Sequence, residues 1–534
     1  MRLIRQISLQ VLLLMVVSAG YAGENCVDCH KGIESSCNIT CADCHSSPNA
    51  DFQPDQAGHS RVIQNPSLEK WWREKCLSCH QKEITQFKNS LHYSAGGMIS
   101  QTRYLWGKDK TLVTNPDPDQ WKLLGRTGRA TGTTPPELVD NLLAKKCLSC
   151  HFNASGKDEQ PGKIRAGGCA SCHIPFDQKN GEPLHGHKMQ KKVVDKTCLT
   201  CHSNNHIGGD YYGYFEHDYH QEYATPYGSQ PFFGAYQHRL ATDVHQNAGM
   251  TCLDCHTSQS VMGDFRNRKF GEQPSDIRCE NCHGGFKQAP NKKDVIKFNK
   301  DIISHMDFHA DLTCGSCHAQ WSYQDYGLHL FLDETKHYEI WENLIWQGDK
   351  SVINLLTDMF LIDPTVRPTA HSPNRLTGVE STGIWYKGWS FRRWEDPVLG
   401  VNSNGKYSII RPLHQYFITY VDSSENLWLD SVIPKRSDGR PGWSWDAYTP
   451  HTTGKSGRVC ESCHGNTKAA GLGIRNAFSN SVSNSITLPT EPVIPGSRLL
   501  NSQEQRRLLE KSADYKKWRT RAFKNDGIEE LFNK

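Results

Sequence analysis

Cys252-Leu253-Asp254-Cys255-His256, then Cys279-Glu280-Asn281-Cys282-His283 and Cys314-Gly315-Ser316-Cys317-His318, form the densest run of a pentapeptide, Cys-x-x-Cys-His, that the chain carries ten times. The other seven are Cys26/Cys29/His30, Cys41/Cys44/His45, Cys76/Cys79/His80, Cys147/Cys150/His151, Cys169/Cys172/His173, Cys198/Cys201/His202 and Cys460/Cys463/His464. Two intervening residues let both sulfurs of one motif reach the two vinyl-derived carbons of a single porphyrin. The histidine that follows then lies against the ring, placed to bind its iron. At this chain's Cys and His frequencies roughly 0.04 copies are expected by chance. Zinc can also use a Cys-x-x-Cys pair, but it does not require a histidine directly after every second cysteine. The pattern therefore implies ten covalent haem c groups.

The composition agrees with a haem-centred core. Hydrophobic residues make up only 37% of 534 residues, and the mean hydropathy is −0.64. Porphyrins supply the apolar surface that the polypeptide lacks. The expected fold is a mainly α-helical and irregular, haem-packed multihaem cytochrome c fold, with a small antiparallel β module before the last haem. The formal charge of +4 understates the acidity of the loaded protein, because haem propionates shift ten sites by roughly ten charges or more. No nucleic-acid signal is present.

Residues 1–22 read as a secretory signal peptide. Arg2 and Arg5 form its basic start, Ile7 to Val17 its apolar stretch, and Gly20-Tyr21-Ala22 its cleavage site. The stretch is too short to span a membrane. The expected mature protein starts near Gly23 and works in the periplasm or outside the cell. Of 21 cysteines, twenty fall in the motifs and Cys37 is left over. A thiol there could bind substrate, pack as a small buried residue, serve as an alternative attachment point or bridge two chains.

Residues 23–320 carry nine motifs at irregular intervals, so the chain repeats a motif and is not a solenoid. Short helices are expected over Leu68–Lys75, Ile84–His92 and Leu138–Lys146, and an exposed loop over Thr111–Pro136. Residues 321–459 lack the motif. Glu334–Phe360 has a helical pattern; Gly383–Trp394, Tyr407–Val421 and Leu427–Ile433 read as strands joined by turns at Asn402–Gly405 and Asp422–Asn426. This segment reads as a flap over haem edges or as a binding module. Residues 460–534 hold the tenth motif, a Ser/Asn/Pro-bearing linker and a charged amphipathic helix over Gln503–Phe523, with Leu508, Leu509, Tyr515, Trp518 and Ala522 on one face.

The chain has 26 histidines, of which ten end the motifs. Sixteen remain for ten distal positions, enough for bis-histidine ligation throughout. Those flanking motifs are the strongest candidates: His245, His309, His451 and His92, then His187 and His305, then His59, His206 and His220. His245, His309 and His451 each precede a motif and are expected to cap a haem whose own motif lies elsewhere or next door.

Ser90-Leu91-His92, the block Gly168 to His173, His309-Ala-Asp-Leu-Thr-Cys through Trp321, and Pro450-His451 together resemble the large bacterial cytochromes related to octahaem tetrathionate reductase and hydroxylamine oxidoreductase. The likeness covers about residues 76–464. It departs from that pattern in having ten motifs and a large β-like insert, and no Cys-x-x-Cys-Lys is present. Two functions remain in view. One is an electron carrier with closely spaced bis-histidine haems, alone or as a homo-oligomer, exchanging electrons with quinol-linked or periplasmic cytochromes or outer-surface acceptors. The other, implied by the resemblance, by Cys37 and by the Tyr/His-rich stretch 211–238, is a reductase or oxidase of a small nitrogen or sulfur compound at one open haem.

Overall fold

The computed structural model describes residues 39–46, 62–154, 156, 162–179, 181–184, 188–203, 208–217, 233, 237–264, 277–284, 309–323, 326–335, 370–391, 394, 397–472 and 496–510. Residues 1–22, the first motif with Cys26, Cys29 and His30, the spare Cys37, the distal candidates His59, His187, His206, His220 and His305, nearly all of the 334–360 helical pattern and the C-terminal helix beyond 510 lie outside the described residues.

The motifs themselves impose short helices. Cys41–His45, Ala170–His173, Cys279–His283 and Cys314–His318 are single turns, and Asp195–His202, here α4, ends on the sixth motif. Several start with a side-chain cap. Thr40 with Asp43, and Thr251 with Asp254, form reciprocal capping boxes, which satisfy orphan N–H groups in helices too short to be stable alone.

Longer helices cluster around motifs three and four. α1 (Leu77–Lys88) runs out of the third motif, with a break in helical geometry at His80. α2 is Gly96–Leu105 and α3 Pro135–Lys145. Proline at the start of α3 and the Thr134–Glu137 capping box set its first turn. Leu138, Val139, Leu142 and Leu143 are fully buried along it. The expected loop 111–136 contains a helical turn, Trp121–Leu124, which buries Trp121 and Leu124 in the same core. An aromatic cluster of Trp72, Phe87, Tyr93, Trp121 and Phe152 joins these helices, with contacts such as Phe87–Phe152 at 5.1 Å and Tyr93–Phe152 at 5.4 Å. Each such buried side chain contributes about 1.5–3 kcal/mol. Gly168 passes so close to Ser67 that a Cβ would collide with its carbonyl, and its φ of +72° suits only glycine.

The β region is larger than three strands and is not purely antiparallel. β1 (Tyr214–Glu216) and β2 (Gln237–Arg239) form a small ribbon, and β4 (His371–Pro373) and β5 (Glu380–Thr382) another. β3 (Tyr326–Asp333) lies between β6 (Ile384–Phe391), antiparallel to it, and β9 (Tyr416–Val421), parallel to it; β10 (Leu427–Val432) completes that sheet beyond β9. A second sheet has the order β11 (Ser444–Ala447), β8 (Tyr407–Leu413), β7 (Val398–Val401), β12 (Arg498–Leu499). The stretch 407–421 is thus two strands in two sheets. The break falls at His414, whose φ is +54°. There the chain makes a tight turn in which Tyr416 N–H donates to the His414 carbonyl.

This β region closes onto α3. Leu330, Leu332, Trp385 and Ile418 share one core with the helices. Trp385 Nε1 donates to Asn141 Oδ1 at 2.7 Å. The buried Lys145 ammonium donates to the carbonyls of Ser381, Thr382 and Gly383 at 2.8, 2.8 and 2.9 Å; its burial lowers its pKa to about 8. At the far end, α5 (Ser502–Leu509) docks through Leu508 against a core of Ala319, Leu399, Val401, Ile409 and Leu500. No helix among the described residues is long and apolar enough to cross a membrane.

Candidate metal centres

Four pairs of imidazoles face one another across a nearly constant gap. His92 and His202 have ring centroids 6.1 Å apart, His245 and His283 6.0 Å, His256 and His451 6.2 Å, and His309 and His464 6.4 Å. The gap has a chemical meaning. Two iron–imidazole bonds of about 2.0 Å, with about 1.2 Å from each ring nitrogen to its centroid, place the centroids about 6.4 Å apart. In every pair one member ends a motif and the other is a histidine outside the motifs. His245 stands before the seventh motif and faces the histidine of the eighth. His309 stands before the ninth and faces that of the tenth. His451 stands before the tenth and faces that of the seventh. The remaining expected ligands divide in two. His45, His80, His151, His173 and His318 are described and belong to none of these four pairs, whereas His30, His59, His187, His206, His220 and His305 fall outside the described residues.

The second ring nitrogen is held in a consistent way. Nδ1 of His92 bonds the Val261 carbonyl at 3.1 Å, that of His45 the Ile63 carbonyl at 2.7 Å, and that of His173 the Gln190 carbonyl at 2.8 Å. His318 Nδ1 reaches the Gly454 carbonyl at 3.4 Å. Donation from Nδ1 fixes the tautomer that leaves Nε2 to a metal. Two distal candidates use carboxylates instead. His245 Nδ1 is 2.8 Å from Asp243 Oδ1, and His451 Nδ1 is 3.7 Å from Asp210 Oδ2. Asp243 is buried, and it also accepts from the backbone N–H groups of His245 and Thr453. Those bonds outweigh the burial that would raise its pKa and hold it below the ordinary value. Asp210 is fully buried and takes the His451 N–H at 3.2 Å. Sequence reasoning missed both carboxylates. The Asp-x-His spacing at 243–245 is a local signal that could have found the first; Asp210, 241 residues away from His451, has none.

Burial lowers His202 to about 4, assisted by the neighbouring His92, His256 and His451, and it lowers His256 as well. His451 is shifted the other way. Burial acts against its charge, but Asp210 prevails and raises it.

The cysteines place successive motifs side by side. The described cysteines form no disulfide. Cys198 lies near Cys252 and Cys279 near Cys314, and Cys201 Sγ donates to the Cys150 carbonyl at 3.6 Å. Cys76 lies near Cys169, Cys172 near Cys198, Cys255 near Cys282 and Cys317 near Cys460. Among the described residues no group of three or more His, Cys, Asp or Glu side chains could hold a metal ion. Facing imidazoles beside neighbouring motif cysteines suit iron in a tethered porphyrin.

Two motif histidines stand apart. His80 is half exposed and lies 3.9 Å from Glu83. His151 is built the other way round from the rest: its Nε2 lies 3.0 Å from the Tyr93 carbonyl and its Nδ1 accepts from Asn153 N–H at 3.3 Å. Its ring is packed against Trp121 at 4.5 Å and Phe152 at 4.6 Å. A further pair, His217 and His238, has centroids only 4.2 Å apart, too close to admit an iron.

Comparison with known proteins points the same way. Residues 244–327 match the model of the cytochrome c3 family, and residues 197–284 that of cytochrome c554 and c-prime. An "uncharacterized protein" of Archaeoglobus fulgidus is 23% identical over 286 residues, covering 44% of this chain and 87% of its own length. No solved structure matches.

Proposed function

We propose that this chain, a multihaem c-type cytochrome that transfers electrons, carries ten covalent haems and passes electrons along them in anaerobic-type respiration after export from the cytoplasm. The observation that carries this reading is the set of four imidazole pairs spaced 6.0–6.4 Å apart. In it, His202 with His92, His256 with His451, His283 with His245, and His464 with His309 hold the irons of the sixth, seventh, eighth and tenth motifs. Cys41, Cys44, Cys76, Cys79, Cys147, Cys150, Cys169, Cys172, Cys198, Cys201, Cys252, Cys255, Cys279, Cys282, Cys314, Cys317, Cys460 and Cys463 supply the thioethers. Cys26 and Cys29 do the same for the first motif, with His30 as its iron ligand; that assignment rests on the motif alone.

Haem, when bound, supplies a one-electron couple at each site. The protein's contribution is to saturate the iron and to order the sites. Two imidazoles per iron exclude small ligands and keep the metal low-spin in both oxidation states. The Nδ1 bonds fix ring orientation, and the Asp243 carboxylate makes the His245 imidazole a stronger donor. The thiol neighbours suggest the route: third, fifth, sixth, seventh, eighth, ninth and tenth motif in turn, with the fourth branching from the sixth. Redox partner proteins then exchange electrons at its ends. Intact-mass spectrometry of the purified protein tests the reading. A chain starting near Gly23 with ten haem adducts is expected; fewer adducts, or residues 1–22 retained, would overturn the corresponding part.

A further inference from the structure

The Tyr/His-rich stretch 211–238 begins in a turn that stands between two of the facing imidazole pairs. Gly208 brings the chain back against the end of the sixth motif. A Cβ there would lie 2.3 Å from the His202 carbonyl oxygen, and its φ is +80°, so the position suits only glycine. Gly209 N–H donates to the same carbonyl at 3.1 Å. The next three residues, Asp210–Tyr212, form a single turn of 3-10 helix. Each of the three sends its side chain to a different anchor.

Tyr212 reaches the sixth motif. Its hydroxyl donates to Asp195 Oδ2 at 2.7 Å, and Asp195 is the first residue of α4, the helix that ends on His202. Tyr211 and Asp210 reach the surroundings of the seventh. The Tyr211 hydroxyl donates to the Met250 carbonyl at 2.9 Å, just before that motif. The fully buried Asp210 takes the backbone N–H of Tyr211 on Oδ1 at 3.0 Å and that of His451 on Oδ2 at 3.2 Å. Asp195 then joins the two motifs directly, because its Oδ1 accepts Cys252 N–H at 3.0 Å. One carboxylate therefore ties the start of α4, the turn at 210–212 and the first residue of the seventh motif. The helical turn Cys252–Cys255 packs against α4 beside it. A polar network whose members are satisfied in this way admits one arrangement of the parts it connects.

We propose that residues 208–212 and Asp195 form a bracket that sets the sixth and seventh metal sites against each other, with Asp195, Asp210 and Tyr212 as positioning residues. The inference rests on the proposed ligation of these two motifs. The bracket grips the backbone of one imidazole from each facing pair: His202, which faces His92, and His451, which faces His256. The rings of the first pair stand at 89° and those of the second at 31°. The angle between two axial imidazoles governs how the d orbitals of a low-spin iron split, so the bracket sets the magnetic signature of both sites together. Tyr211 and Tyr212 thereby serve the alignment of the array and not a substrate.

The test uses the full-length holoprotein and the ferric low-spin g values read by EPR, with haem content followed by mass. Two reference variants, Cys198→Ala/Cys201→Ala and Cys252→Ala/Cys255→Ala, each remove one low-spin signal and so assign the sixth and seventh sites. Tyr212→Phe deletes one hydroxyl, and Asp195→Ala deletes both bonds of the carboxylate. Each should shift the g values of both assigned sites, leaving the other signals and the haem mass unchanged. Asp195→Asn keeps an acceptor for Cys252 N–H and an amide that the Tyr212 oxygen can accept from, so it should restore the wild-type spectrum. If Asp195→Ala does not accumulate, Tyr212→Phe alone decides. Signals that stay fixed in Tyr212→Phe, a shift confined to one of the two sites, or a shift spread over the whole array would overturn the bracket with the ligation intact. Reference variants that lose haem mass but no low-spin signal would instead overturn the ligation on which it rests.

Discussion

Asp243→Asn changes one atom in a carboxylate that performs three tasks. Oδ1 takes the backbone N–H and Nδ1 of His245, each at 2.8 Å, and Oδ2 takes Thr453 N–H. An asparagine that keeps its oxygen toward His245 turns an amide donor toward Thr453 N–H. A buried N–H left without an acceptor costs about 1–3 kcal/mol. The effect on the metal is separate. On the proposed ligation, loss of the carboxylate weakens His245 as a donor to an iron held between it and His283. Changes of this kind alter metal affinity about 10–100-fold. If the whole effect falls on the ferric state, the midpoint potential of one haem rises by about 60–120 mV. Spectropotentiometry with near-infrared magnetic circular dichroism, which reports imidazole ligation, reads this directly. One component should move positive by that amount while the number of bis-histidine haems stays constant. A protein that loses stability but keeps its potentials would show that Asp243 only fastens Thr453 and does not tune a haem.

If His309 and His464 hold one iron as proposed, replacing His309 by Ala should open it, giving a new high-spin signal and carbon monoxide binding; a spectrum identical to wild type would remove His309 from the ligand set. Cys460→Ala with Cys463→Ala should lower the mass by one haem and leave the motifs before residue 320 loaded, as counted by mass spectrometry. Glu504 accepts from both Arg498 nitrogens, Asn501 N–H and the Tyr407 hydroxyl. Those bonds, with Arg498 first, hold it at about 2. Its folded value lies below its unfolded one, so its contribution is present above about pH 4.5 and is lost as pH falls toward 2. Glu504→Ala should cost about 1 kcal/mol of docking in α5 through the broken capping box, seen as faster hydrogen exchange over 502–509 at neutral pH and no difference from wild type in strong acid.

The motifs were legible because they are local: two cysteines and a histidine within five residues carry their own geometry. That His245, His309 and His451 would face motif histidines was partly legible, because each stands just before a motif that packs beside another. Their pairing was not, since His256 and His451, or His92 and His202, meet only through the tertiary fold. The reversal at His151 is also invisible in sequence, because it depends on the Tyr93 carbonyl and on Arg165 bracing a loop. The β region was read by alternation, which found the material of β6, β8, β9 and β10. Alternation cannot report that 407–421 leaves one sheet for another, a step taken at the unusual backbone of His414. Trp121 and Leu124 were hidden among Pro, Gly and Asp, whose turn signals mask two apolar residues that the aromatic core takes up.

Thiols from different motifs that touch one another have a consequence for how the chain is made. Cys198 lies near Cys252, Cys279 near Cys314, and Cys150 near Cys201. Before porphyrin is attached, each such pair can oxidise to a cross-link that joins two motifs and blocks both. Biogenesis must therefore keep these sulfurs reduced until each is capped as a thioether. A chain that folds and oxidises at these pairs ahead of attachment would present motifs that no porphyrin can enter.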